Sequence, residues 1–222
     1  MANHLQYSGA DPQTQHDALE AIIRNSPLLM AVLRGMRALA LPDTLLGSGA
    51  IYNTVWNVLT GRPPLTGIKD ADVVYFDDND LSYEAEDAAI RRAAAQFADL
   101  PIPVELRNQA RVHIWFPQKF GTPYPQLKSS AEMMLYFASR THAVAVRLED
   151  DGRLGIFARF GLDDIFSFRV TPNPALLATD EDMLTAIAAR PALVRARELR
   201  LAGLSSLALV EWQAGFATLS PA

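Results

Sequence analysis

The feature that most constrains this chain is Asp70-Ala71-Asp72, which runs without a break into Val73-Val74-Tyr75-Phe76. The β-branched and aromatic run reads as a buried strand. Side chains alternate along a strand, so Asp70 and Asp72 share one face near its start. Two carboxylates held side by side repel, and a cation between them relieves that cost. Hard oxygen donors of this kind suit Mg²⁺, with Mn²⁺ as the alternative ion, and such ions commonly complete their shell with substrate phosphates. A solvated charged loop is the competing reading. It fits less well, because a loop does not normally lead straight into four apolar residues.

Upstream, Gly47-Ser48-Gly49-Ala50 opens a second informative segment. Gly47 and Gly49 permit a tight turn and close approach to the main chain, and Ser48 adds a hydroxyl donor. From Ala50 onward, Ile51, Val55, Val58 and Leu59 fall at helical spacing, and Gly61 suits a C-terminal cap. The turn therefore sits at a helix N-terminus, where free N–H groups and the helix dipole favour an anion such as a phosphate. Taken alone, this is an ordinary helix start. Followed by paired carboxylates on a strand, it becomes half of a pattern.

That pattern resembles the nucleotidyltransferase superfamily that includes DNA polymerase beta, and more closely the head domain of CCA-adding enzymes and bacterial poly(A) polymerases. Gly49-Ala50, Leu59-Thr60-Gly61-Arg62-Pro63-Pro64 and Asp70-Ala71-Asp72 match that signature in part. Tyr52-Asn53 replaces the Arg-Asp that follows the glycine turn there, and Leu65 to Ile68 are extra. A bacterial family of small nucleotidyltransferase-like proteins is closer still. Its recurring blocks appear here as Asn53-Thr54-Val55-Trp56-Asn57, Lys69 to Phe76, Asn108-Gln109-Ala110-Arg111-Val112-His113 and Gly161-Leu162-Asp163-Asp164-Ile165-Phe166. The resemblance implies an α+β fold, a polymerase beta-like mixed sheet backed by helices. It also implies a nucleoside triphosphate substrate, with Gly47, Ser48, Asn53, Arg62, Lys69 and Arg111 at the nucleotide. In that superfamily a third carboxylate lies on a strand beside the pair. Glu105, in Val104-Glu105-Leu106, fits the role of completing the metal site and accepting the proton of an attacking hydroxyl. An exposed edge-strand glutamate is the plain alternative.

Composition bounds the rest. With 222 residues, half of them hydrophobic, the chain suits one domain plus an appendage. We expect a nucleotidyltransferase-like domain over 1–178, including two N-terminal helices, and a helical extension over 179–222. A net charge of −5 argues against a generally nucleic-acid-binding surface. With no cysteine, disulfides and thiolate metal sites are excluded. The first residues lack the apolar segment of a signal peptide, and Leu28 to Leu41 is broken by Arg34 and Arg37, so a soluble cytoplasmic protein is expected.

Asp11-Pro12 and Ser26-Pro27 predict two helix starts. His4 and His16 read as exposed. Asp77, Asp78, Asn79 and Asp80 read as a solvated turn rather than a calcium loop, leading to an N-cap at Ser82. The strand at Val104 is expected to continue from Arg107 to Phe116, which would place Arg111, His113 and Trp115 on one face. There Arg111 would grip triphosphate oxygens, while His113 would be structural. Pro117 to Lys128 reads as a loop covering the site, and Ser129-Ser130-Ala131-Glu132 as a capping box for a helix through Ala138. Val144 to Leu148 and Leu154 to Ala158 predict a hairpin, and Asp163 and Asp164 helix capping. Arg190, Arg195, Arg197 and Arg200 read as a solvated helix face, or this segment as a dimer contact through Leu207, Leu209 and Trp212, ahead of a nucleic-acid or phosphate contact. The expected activity is metal-dependent transfer of a nucleoside monophosphate to an acceptor hydroxyl on RNA, a protein or a small molecule. The alternative is a catalytically silent nucleotide- or RNA-binding regulator of the same fold. A toxin–antitoxin transferase is a third reading.

Overall fold

The computed structural model describes residues 4–121, 123–137, 139–171 and 173. The expected C-terminal extension, with its arginines and its dimer contact, lies outside the described residues. Five strands form one mixed sheet: β1 (Leu45–Gly47), β2 (Ala71–Tyr75), β3 (Val104–Asn108), β4 (Val144–Leu148) and β5 (Leu154–Ala158), in the order β3-β2-β1-β4-β5. Only β2 and β3 run parallel; the other neighbours are antiparallel. The parallel pair requires a crossover, which is α4 (Tyr83–Gln96).

Helices cover one face. In α1 (Pro12–Arg24) and α2 (Pro27–Leu39) the starts are those expected: Asp11 accepts from the N–H groups of Gln13 and Thr14, and Ser26 from that of Leu29. Their inward residues Leu19, Ile23, Leu29, Val32 and Leu33 are fully buried. They join α3 (Gly49–Thr60) and α4 over a core that takes Leu46, Val73, Leu106 and Val146 from the sheet. A smaller cluster lies on the opposite face, where Leu45, Val74 and Ala145 meet Leu127, Met133 and Met134. There the cover is a 3-10 segment, Ser130–Tyr136, and not the α-helix that the capping-box pattern suggests. Glu132 reaches back to the N–H of Lys128, while the Ser129 side chain caps nothing.

Two other expectations are corrected. The strand does not continue to Phe116; β3 stops at Asn108 and the chain turns into α5 (Val112–Phe120), with Pro117 inside it. The cause is local. Asn108 lies opposite Tyr75, the last residue of β2, so the ladder has no further partner, and its side chain takes the N–H of Ala110 and of Asp77. Asp163 and Asp164, at the start of the short α6 (Asp163–Phe166), form ion pairs instead of capping it. Asp163 accepts from the N–H of Gly9 and from Gln15, and pairs with Arg169, which tethers the N-terminal segment. Asp164 pairs with Arg140 at 3.1 Å.

Candidate active site

Strand register assembles the site. Asp72 on β2 lies directly opposite Glu105 on β3. On the other side, Leu46 faces Val73, which brings Gly47 beside Asp72: a Cβ placed on Gly47 would stand 3.7 Å from the Asp72 carbonyl oxygen. Residues opposite one another point to the same face. Glu105, Asp72 and Gly47 therefore form a row across three adjacent strands, on the face that the helices leave uncovered. Asp70 enters the same group just ahead of β2. Strand pairing thus brings the glycine turn, the aspartate pair and Glu105, distant in sequence, onto neighbouring strands.

Their electrostatics are those of crowded negative charge. Protein mass around the Asp72 carboxylate, then the charges of Asp70 and Glu105, push its pKa up to about 6, against the pull of Arg107. Asp72 is nonetheless exposed, so the row faces solvent and is not a sealed interior. Asp70, half-buried, is shifted upward by desolvation and then by Glu105, with exposed Lys69 opposing. Glu105 is exposed and lies 3.8 Å from the guanidinium of Arg107, two residues along the same strand. Among the described residues no three histidine, cysteine, aspartate or glutamate side chains converge into a ready-made metal cage.

Ser48 begins α3 with φ +49° and ψ −106°, a strained backbone for a residue with a side chain. It is fastened on both sides: its N–H donates to the Val144 carbonyl at 2.9 Å, and its own carbonyl takes the N–H groups of Ile51 and Tyr52. The hydroxyl caps no helix N–H. Among the described residues the N–H groups of Gly49 and Ala50 meet no hydrogen-bond acceptor, leaving donors at the positive end of α3. Beneath the turn lies a relay that the sequence does not announce. Ser139 bonds Nδ1 of His142, whose Nε2 lies 3.2 Å from the Tyr52 hydroxyl. Burial pushes the His142 pKa down to about 4, so the ring is neutral at pH 7.

Other expected nucleotide contacts are placed elsewhere. Asn53 is buried and donates to the Gly49 carbonyl at 2.9 Å, steadying the turn from below. Arg111 is buried against Glu86 and donates to the Leu81 carbonyl, so its charge is consumed 25 positions upstream. Arg62 follows the far end of α3, about 18 Å from the turn for a helix of that length. Lys69 alone of these cations adjoins the carboxylates. Arg107 and Met133, which the sequence reading passed over, both border the row; the Met133 methyl would lie 3.4 Å from a Cβ on Gly47. Strand alternation from Glu105 pointed to Arg107. Nothing local pointed to Met133.

A protein-family profile described as nucleotidyltransferase matches residues 34–199, most of the chain and the whole of this sheet. The chain belongs to a nucleotidyltransferase family. A solved structure agrees: a protein whose NMR structure is described as revealing a CCA-adding enzyme head domain is 31% identical. The match spans 79% of this chain and 86% of that one, with a TM-score of 0.65. No curated protein sequence matches the chain at a significant level. The family implies transferase chemistry on a nucleoside triphosphate. No helix among the described residues is long and apolar enough to cross a membrane.

Proposed function

We propose that this nucleotidyltransferase moves a nucleoside monophosphate from a nucleoside triphosphate to an acceptor hydroxyl, using Asp70, Asp72 and Glu105. The observation that carries the reading is the row of Gly47, Asp72 and Glu105 on the open face. The free N–H groups of Gly49 and Ala50, with the Ser48 hydroxyl, receive the phosphates at the positive end of α3. Asp70 and Asp72 would hold Mg²⁺ or Mn²⁺, and their upward pKa shifts support this, since desolvation and neighbouring carboxylates outweigh the pull of Lys69 and Arg107. When bound, the ion supplies charge neutralisation at the phosphates and Lewis-acid activation. Glu105, exposed at the rim of the row, takes the proton of the attacking hydroxyl. Arg107 lies beside it, 3.8 Å from its carboxylate. Beyond that proton transfer, the protein contributes alignment and electrostatics.

Pyrophosphate release from each of the four triphosphates, with Mg²⁺ or Mn²⁺ and a cell RNA or protein extract as acceptor source, tests this. Release by wild type and its loss in Asp72→Asn supports the transferase. Tight nucleotide binding without release, equal in both proteins, would establish the silent regulator instead.

A further inference from the structure

A cavity of about 580 Å³ lies at the opposite end of α3 from the glycine turn, and the proposed transfer does not use it. It is bounded by α1, the start of α2, the last turn of α3 and the segment after it, with Ala21, Ile22, Leu28, Val58 and Leu65 on its apolar wall. Val58 is 57% exposed and Leu65 40% exposed, an unusual outlay of apolar surface beside a cleft of ligand-binding size. The polar side chains in the wall are mostly engaged within the fold. Thr54 donates to Ala50, Asn57 to Pro64 and Thr66, and the Ser26 hydroxyl takes the Leu29 N–H.

Arg62 differs. It is the one cation on the wall, and among the described residues its side chain has no ion pair or hydrogen bond. The N-terminal end of α2 at Pro27 and Leu28 borders the same space, so its dipole adds to the positive charge there. A pocket of this kind is complementary to a molecule with a greasy body and one negative end. We propose that the cavity binds an amphiphilic aliphatic carboxylate, its tail against Ile22, Leu28 and Val58 and its carboxylate on the Arg62 guanidinium.

Titration calorimetry on the full 222-residue chain tests this, with decanoate below its micelle concentration as the probe. Decan-1-ol and decyltrimethylammonium are the neutral and cationic comparators. Decanoate should saturate one site with a negative heat-capacity change, and decyltrimethylammonium should bind far more weakly. Arg62→Gln should weaken decanoate at least about tenfold while leaving decan-1-ol unchanged. Ala21→Trp, at an exposed position on the wall, should fill the cavity and abolish both. Asp72→Asn should bind decanoate as wild type does, so this site and the transfer reaction stand or fall separately. No saturation, equal affinity for the anionic and cationic probes, or an Arg62→Gln protein with unchanged affinity would overturn the proposal.

Discussion

Leu46, Val73 and Leu106 lie in one row across β1, β2 and β3, all buried under the helices. One residue away on each strand lie Gly47, Asp72 and Glu105, on the other face, with the two carboxylates exposed and Gly47 buried. The first row holds the fold together by removing apolar surface from water. The second spends stability, because the Asp72 carboxylate is desolvated and lies beside the charges of Asp70 and Glu105. Neither row would exist without the other, since the same backbone pleat presents both. The difference separates residues that tolerate no loss of volume from residues that tolerate no loss of charge.

The sharpest way to expose that difference is Asp72→Asn, nearly identical in shape. It should cut pyrophosphate release by about a thousandfold or more, the scale seen when one preorganised electrostatic contact is removed. Far-ultraviolet circular dichroism should be unchanged. On the helix side, Leu33→Ala should do the reverse, costing about 3 kcal/mol in urea unfolding while the folded enzyme keeps its turnover. His142, under the turn, should show its burial as acid sensitivity. Its pKa falls from 6.5 to about 4 on folding, so below pH 6.5 only the unfolded chain gains the proton. Stability should therefore drop as pH falls from 6.5 to 4 and this contribution should level off below that. His142→Gln should remove about 3 kcal/mol of the pH dependence. Glu105→Gln should slow turnover about a hundredfold, with little change in the KM for triphosphate.

The smallest effect is also the most direct measure of what the open row costs. The Asp72 pKa is raised on folding, so the metal-free protein should lose stability as pH rises from about 4 through 6. Asp72→Asn should erase that loss, making the mutant the more stable protein at pH 7, as read from urea midpoints. If wild type and mutant have parallel stability profiles, the carboxylates do not feel one another, and the contrast between the faces is weaker than the geometry suggests.

Local chemistry made much of this visible beforehand. Asp11, Ser26 and Ser82 marked helix starts because a capping side chain needs only its own next turn. Asp72 and Glu105 were legible as strand carboxylates for the same reason, while their adjacency was expected only through the family resemblance. The failures involve partners remote in sequence. Arg111 looked like a free cation until Glu86 was found against it, and β3 looked longer because β2 gives no sign in sequence of where its ladder ends. Arg62 sits in a family-like motif, yet the length of α3 carries it away from the turn. The Ser139–His142–Tyr52 relay spans 90 positions between its last two members and leaves no periodic trace.

The parallel pairing of β2 with β3 has a consequence for quality control. A slip of one position between them would turn Asp72 or Glu105 into the hydrocarbon layer and expose Val73 or Leu106, a state too unfavourable to persist. Correct alignment is therefore enforced by the same acids that the proposed transfer uses. A molecule that survives folding carries Asp72 and Glu105 side by side.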